Sequence, residues 1–276
     1  MRYCLVRILG NDQPPRHAKN QTETNVQFIL KHEPDFKNCD KYFVLNRMWD
    51  PAKYNAINKL ITKAGYKTLT IPFEADKYLK AKDRVLYLTN QNEARNFTIK
   101  AFVADYDVLL PFDGGTCFRE DGWYQFADNV GRRELSPYYI VPMCRLKTFA
   151  DYKKGVPSVN ELYQGKAAPT EPQICFTKNS DRLYTEGMTY GCANKVDMLW
   201  MLGVPGPWTS WHKSLQPAAR KRLSKYAGTI PQYGFVCRLP SGNKRGDTSS
   251  SIRGGLRKLA KTKIVHRVNR FVKTGK

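Results

Sequence analysis

The sequence predicts an α/β fold in which helices flank a mostly parallel central sheet. Short apolar runs that suit buried strands alternate with amphipathic helical patterns through the first half of the chain. With 276 residues, of which 41% are hydrophobic and 12% aromatic, the chain is long enough to bury a substantial core. No apolar run approaches the roughly 20 residues that a membrane-spanning helix needs.

Strands and helices alternate in a regular order before residue 75. Strand patterns occupy residues 2–9, 42–46 and 66–73, and helical patterns occupy residues 24–32 and 51–64. Asp50 and Pro51 form a typical N-cap and first turn, and Gly65 follows the end of that helix. This order favours a parallel, Rossmann-like sheet. Neither GxGxxG nor GxxxxGK[ST] is present, which weighs against a dinucleotide oxidoreductase and a P-loop NTPase.

The most informative stretch runs from residue 92 to residue 118. Its pattern predicts a helix over residues 92–104 with Asn92 as N-cap, then a buried strand over residues 107–112 that ends at Asp113. Open α/β sheets bind ligands at the carboxyl ends of their strands, and a carboxylate there can hold a divalent cation. We therefore expect a ligand site at Asp113, although the residue also suits an ordinary turn before two glycines.

This stretch resembles the core of the nucleotide-sugar glycosyltransferases with the GT-A fold, because a helix that carries Ala94-Arg95-Asn96 is followed by an apolar strand and an aspartate turn. The resemblance covers residues 2–211 and implies a GT-A domain over residues 1–240. In that family two aspartates, separated by one residue, bind the metal. Here Asp113 matches the first, and Gly115 stands in place of the second. The resemblance implies a UDP-sugar donor and Mn²⁺ or Mg²⁺, bound by Asp113 with His212 closing the metal shell.

The resemblance also assigns the donor-binding residues. The loop after the first strand would contact uracil and ribose, and a cation beyond it would contact the diphosphate. The full set is Arg7, Asn11, Asp12, Arg16, Asn46, Arg95, Asn96 and Asp113. For Arg16 a solvated loop charge is an equal alternative.

Glycosyl transfer with inversion also needs a carboxylate that accepts the acceptor's proton. Glu171, at the start of an apolar strand pattern, is the predicted base. Asp197 is the second choice, although it lies within a helical pattern and can be a surface charge. Trp208 and Trp211 suit stacking on a sugar or base, or closure of the core edge. Polar residues 151–170 predict a mobile loop that the resemblance implies for acceptor recognition.

Charge is the strongest compositional signal. The net charge is +22, and residues 213–276 hold 17 Lys or Arg against one acidic residue. Such a segment attracts polyanions, nucleic acid first and an anionic membrane surface second. Residues 241–255 suit a phosphate-binding loop or a disordered linker, and residues 252–273 predict a basic amphipathic helix. The predicted nucleic-acid-binding residues are Lys244, Arg245, Arg253, Arg257, Lys258, Lys261 and Lys263.

Seven scattered cysteines without a CxxC pair predict a reducing, cytoplasmic environment, and residues 3–9 are too short for a signal peptide.

The leading hypothesis is transfer of a hexose to a 5-hydroxymethylpyrimidine, such as hydroxymethylcytosine, in duplex DNA. The chain is similar to the small glycosyltransferases that accompany methylpyrimidine dioxygenases in bacteriophages. The basic end, residues 241–276, would then bind DNA apart from the donor site.

Two alternatives stay open. One is a polysaccharide or lipid-linked glycosyltransferase whose basic helix lies on anionic lipid. The other is a non-catalytic nucleic-acid-binding module on a transferase fold, since Gly115 has no carboxylate.

Overall fold

Two β-sheets form the centre of the part of the chain that the computed structural model describes, residues 1–153, 170–243 and 250–275. The strands are β1 (Tyr3–Leu9), β2 (Cys39–Asn46), β3 (Lys67–Ile71), β4 (Val108–Asp113), β5 (Thr116–Cys117), β6 (Tyr138–Val141), β7 (Met143–Arg145), β8 (Gln173–Phe176) and β9 (Val236–Arg238). The α-helices are α1 (Gln21–His32), α2 (Pro51–Lys63), α3 (Ala75–Lys80), α4 (Arg84–Thr89), α5 (Gln91–Phe102), α6 (Glu120–Gly131), α7 (Val196–Met201), α8 (Gln216–Arg220) and α9 (Ser250–Thr274). Short 3-10 helices occupy Phe149–Lys153 and Pro207–Ser210.

The larger sheet confirms the predicted α/β class. Its six strands follow the order β3-β2-β1-β4-β8-β6, in which β1 to β4 pair in parallel and β8 runs antiparallel to both of its neighbours. From β1 the chain moves outward through β2 and β3 and then returns to the other side of β1 as β4. The topological switch point therefore lies between the carboxyl ends of β1 and β4, where open α/β sheets bind their ligands.

A second sheet of three strands, in the order β5-β9-β7, packs beside the first. Residues 138–143 form one apolar run whose sequence predicts a single strand, but the structure divides it between β6 of the large sheet and β7 of the small one. Pro142 separates them, and its carbonyl accepts a hydrogen bond from the Val236 amide at 2.9 Å. In the parallel pairing of β7 with β9, Arg145 is opposite Arg238.

Both faces of the large sheet are buried. All seven residues of β1 are buried, with Val6 and Ile8 in the cluster that includes residues of α5 and α7. Leu5 packs in the opposite cluster, which includes Trp123 and Phe126 of α6. Burial on two faces explains why this strand is a nearly continuous apolar run in the sequence.

The N-caps explain two helix boundaries. The Asp50 side chain accepts hydrogen bonds from the amides of Ala52 and Lys53, which confirms the predicted cap of α2. For α5 the predicted cap, Asn92, is wrong, because the Asn90 side chain accepts the hydrogen bond from Glu93 N at 3.1 Å.

The C-terminal helix α9 packs against α3 and α4. Ile264 and Val268 of α9 are buried in one cluster with Tyr78 and Leu88. The hydroxyl of Tyr78 also donates to Asn269 Oδ1 at 2.7 Å. Each fully buried aliphatic side chain contributes about 1.5–3 kcal/mol, so this cluster holds the helix on the body. Among the described residues, no helix combines the length and apolar character that crossing a bilayer requires.

Candidate active site

A cavity of about 600 Å³ opens at the switch point between β1 and β4. Several separate parts of the chain form its wall: the ends of these strands, the loop after β1, the segment before α7, the small sheet and the first turns of α9. Among the described residues, the acidic residues of this wall are Asp113 and Glu171. Its Lys and Arg residues are Arg16, Arg95, Arg145, Lys195, Arg238, Arg253 and Arg257. Cations therefore far outnumber acids around the cavity, and the site suits an anionic ligand.

Asp113, the last residue of β4, is the centre of an ion-pair network. Its Oδ1 accepts a hydrogen bond from Arg95 at 2.5 Å. Its Oδ2 accepts from Lys195 at 3.3 Å and from Arg238 at 3.0 Å. Burial disfavours the charged carboxylate, but Lys195, Arg95 and Arg238 outweigh burial and hold the pKa of Asp113 well below its usual value. The carboxylate is therefore ionised throughout the neutral pH range.

The turn after Asp113 is held tightly against β1. The Gly114 amide donates to the Ile8 carbonyl at 3.0 Å, and a Cβ on Gly114 would lie 2.6 Å from that carbonyl oxygen. Glycine is thus required because the backbone of β1 approaches so closely.

Arg95 reaches Asp113 from α5. Its Nη1 donates to Asn92 Oδ1 at 2.6 Å, and its guanidinium lies over the ring of Tyr184, 5.0 Å from the centroid. The arginine is 2% exposed, so its charge depends on Asp113 for compensation. Asn92 in turn donates to two carbonyls of the segment before α7, which joins α5 to the wall that carries Lys195.

Lys195 lies immediately before α7 and is 2% exposed. Burial lowers the pKa of Lys195, and the nearby Asp113 and Glu171 offset this only in part. The negative charge of Glu171 also contributes to the raised pKa of Arg95. The predicted base therefore lies close to the Asp113 network on the cavity wall.

Three arginines from distant parts of the chain line the cavity, and all three act electrostatically on both His17 and Tyr190. We name Arg16, Arg238 and Arg257 the arginine cluster. Burial and then Arg16 lower the pKa of His17 to about 3, with further contributions from Arg238 and Arg257. Burial would raise the pKa of Tyr190, but Arg257, Arg16 and Arg238 together lower it. The imidazole of His17 is therefore neutral near pH 7.

Of the other residues predicted from the sequence, Asn11 and His212 lie on the wall of the cavity. Trp211 also lines it, whereas Trp208 is buried and donates from Nε1 to the Val204 carbonyl at 3.0 Å. Trp208 thus closes the core, and Trp211 can contact a ligand.

Arg7 and Asp12, predicted to contact uracil and ribose, have structural partners instead. Arg7 is fully buried inside β1, where it pairs with Glu33 and donates from Nε to the Thr116 carbonyl at 2.8 Å. Asp12 accepts from the Thr22 amide at 2.8 Å and pairs with Lys53 at 3.1 Å. Neither residue lines the cavity.

Asn46, Asn96 and Asp197 also lie away from the cavity wall. Asn46 donates to the Asn90 carbonyl at 3.3 Å, and Asn96 donates to the Tyr184 carbonyl at 2.9 Å. Asp197, the second choice for the base, is 2% exposed and pairs with Arg222 at 3.1 Å. The predicted roles of these three residues do not agree with their positions.

The predicted nucleic-acid-binding residues fall into several groups. Arg253 and Arg257, in the first turns of α9, line the cavity. Lys258 and Lys263 are exposed, and Lys261 donates to Thr189 Oγ1 at 3.4 Å. Lys244 and Arg245 lie outside the described residues, as do positions 154–169 of the predicted acceptor loop.

The side chains at this site do not fit a divalent cation held by the protein. Both oxygens of Asp113 already accept hydrogen bonds from cations. Across residues 1–153, 170–243 and 250–275, no group of three or more His, Cys, Asp or Glu could hold a metal ion. Positive charge around Asp113 disfavours a second cation there. The positive charge on the described part of the cavity wall comes from lysine and arginine side chains.

Sequence reasoning missed Lys195, Arg238 and Tyr190. All three lie in segments far from residue 113 in the chain and reach the cavity only through tertiary packing. For Lys195 there was a signal, namely a cation at the start of a helix that is apolar except for Asp197. No protein-family model and no curated protein matches this chain, so its function is inferred from the site.

Proposed function

We propose that this protein is a GT-A glycosyltransferase that transfers a sugar from a nucleoside diphosphate donor, such as a UDP-sugar, to a 5-hydroxymethylpyrimidine in DNA. The observation that carries the proposal is the cationic cavity at the switch point of a mostly parallel sheet. A departing nucleoside diphosphate develops negative charge, and preorganised cations in a partly enclosed site stabilise that charge. Guanidinium groups suit phosphate oxygens because they donate two parallel hydrogen bonds.

The chemistry assigns a role to each side of the cavity. The acceptor hydroxyl oxygen attacks the anomeric carbon, and the bond from that carbon to the diphosphate oxygen breaks. The bonding electrons leave with the diphosphate, whose charge the arginines neutralise. For an inverting transfer Glu171 accepts the hydroxyl proton. Asp113 orients Arg95, Lys195 and Arg238 through the hydrogen bonds described above.

The exposed charges of α9 support DNA as the acceptor. Lys258, Lys263 and Arg270 are exposed, and two arginines of the same helix line the cavity. DNA phosphates held by these side chains would bring a flipped base close to the donor. An anionic membrane is less favoured, because Ile264 and Val268, the centre of the apolar stripe, are buried against the body.

Incubation with a panel of nucleotide sugars and a duplex that contains 5-hydroxymethylcytosine tests the proposal. Digestion and mass spectrometry should detect a nucleoside heavier by one sugar, and an unmodified duplex should give none. Absence of a heavier nucleoside with every donor would contradict DNA glycosylation. Calorimetry then separates the alternatives, since a non-catalytic module would bind DNA and no nucleotide sugar. Sedimentation with anionic vesicles, compared with a DNA gel shift at equal salt, tests the membrane alternative.

The Glu171→Gln variant tests the assigned base. Removal of a general base lowers turnover by about 10²- to 10⁴-fold. Donor affinity should be equal to or higher than that of the unmodified protein, because the substitution removes a negative charge from a site that binds an anion. The exposed Glu120 of α6 gives a matched control, Glu120→Gln, that should transfer normally. Normal transfer by Glu171→Gln would show that Glu171 is not the base.

A further inference from the structure

The arginine cluster is built by distant parts of the chain. Arg16 comes from the loop after β1, Arg238 from β9 and Arg257 from the third turn of α9. Of these, Arg238 is the one that Asp113 pairs with directly, at 3.0 Å. The three guanidinium groups repel one another in a partly buried site, and an anion bound between them would offset this repulsion.

We propose that the arginine cluster binds the donor diphosphate without a divalent cation, and that α9 is therefore part of the donor site. The identity of the ligand as a nucleotide-sugar diphosphate rests on the proposed function. The sequence predicts that Arg253 and Arg257 bind DNA, apart from the donor site. With α9 in the donor site, these two arginines belong to the donor site instead.

The residues around Arg257 hold its side chain in place at the cavity. Its guanidinium carbon lies 5.2 Å from the ring centroid of Tyr190, in the range of a cation–π contact. Gly191 has φ +80°, and a Cβ there would lie 2.7 Å from Arg257 Cδ. The backbone before α7 is thus shaped to admit this arginine. The Nε of Arg257 is buried and has no hydrogen-bond partner among the described residues.

The charges around the cluster favour a diphosphate over a metal-bound ligand. Two adjacent phosphoryl groups offer enough oxygens for several guanidinium groups at once. His17 beside the cluster adds no charge, since its imidazole is neutral near pH 7. A divalent cation would have to enter among arginines, with the nearest carboxylate, Asp113, already engaged.

Calorimetry with inorganic pyrophosphate tests the inference on the full chain. The titration is run at one ionic strength, once with EDTA and once with Mn²⁺, because surface charge effects vary with salt. We expect binding in EDTA, and no more than threefold tighter binding with Mn²⁺. The Arg257→Gln variant should lose about 10- to 100-fold in affinity, the range for charge-assisted hydrogen bonds. Arg132→Gln, at an exposed arginine beyond the end of α6, is the matched control and should bind within twofold of the unmodified protein.

The Gly191→Ala variant provides an independent check, because it displaces Arg257 without removing a charge. It should also weaken pyrophosphate binding, and circular dichroism should show that both variants remain folded. Binding that requires Mn²⁺, or full affinity in a folded Arg257→Gln variant, would overturn the inference. Sugar transfer seen only with Mn²⁺ would likewise overturn it and leave the proposed function intact. Metal-free pyrophosphate binding without any sugar transfer would instead refute the proposed function alone.

Discussion

Replacement of Asp113 by asparagine distinguishes a structural carboxylate from a metal ligand. Asp113 is the nearest counter-charge for Arg95 and Lys195, whose side chains are 3% and 2% exposed. Asparagine keeps the size of the side chain and removes its charge, so both buried cations lose the carboxylate with which they pair directly. Loss of one partner from a buried ion pair costs about 3–5 kcal/mol. For a chain of this size, each kcal/mol lowers the melting temperature by about 2–4 °C.

The expected result for Asp113→Asn is therefore a melting temperature lower by about 6–20 °C, measured by calorimetry. Pyrophosphate affinity, measured well below that temperature, should be equal to or higher than that of the unmodified protein, because the cavity gains net positive charge. Asp121→Asn is the control, since Asp121 is 49% exposed and its pair with Arg119 lies at the surface. That variant should lose at most about 1 kcal/mol. Normal stability of Asp113→Asn together with loss of pyrophosphate binding would refute this reasoning and favour a metal site.

Two further predictions concern pH and the C-terminal helix. The folded-state pKa of Asp113 is depressed, so its stabilisation is complete above the unfolded pKa of about 3.9 and is lost as pH falls through the folded pKa. Urea denaturation measures the difference in unfolding free energy between the unmodified protein and Asp113→Asn. This difference should be constant from about pH 6 to pH 8 and should narrow only below about pH 4. A difference that disappears near pH 6 would contradict the assigned charge. The Ile264→Ala variant should lose about 2–5 kcal/mol, whereas Leu259→Ala, at a side chain 46% exposed, should lose far less. Equal losses in these two variants would mean that α9 does not pack on the body through Ile264.

Much of the large sheet was predictable because β1, β2 and β4 are buried and therefore appear as apolar runs. The division into β6 and β7 was not predictable, because the residues on both sides of Pro142 are apolar and look like one strand. The boundary of α5 was missed by two residues because Asn90 and Asn92 are equally good caps by type. Asn92 donates instead to carbonyls of the segment before α7, which lies far along the chain.

At the site, sequence reasoning found residues at the ends of strands, namely Asp113, the last residue of β4, and Glu171, two residues before β8. The family resemblance placed Arg7 at the donor site, whereas in the structure this residue is buried and pairs with Glu33. Asp197, the second choice for the base, pairs with Arg222, which lies in a segment without a recognisable sequence pattern. Ion pairs between distant segments leave no local signal, and they decide which charges face the cavity.

The inclusion of α9 in the cavity wall changes how the basic end is understood. Arg253 and Arg257 face the cavity, while Lys258 and Lys263 are exposed for a polyanion. One helix can therefore link donor binding with acceptor binding. Removal of this helix would then impair both, so single substitutions are more informative than truncation.

A crystal structure of the protein soaked with UDP in a solution that contains EDTA tests the central claim most directly. The account predicts difference density for the two phosphoryl groups between Arg16, Arg238 and Arg257, with the uridine inside the same cavity. Nucleotide density elsewhere on the molecule, with this cavity filled only by solvent, would contradict it.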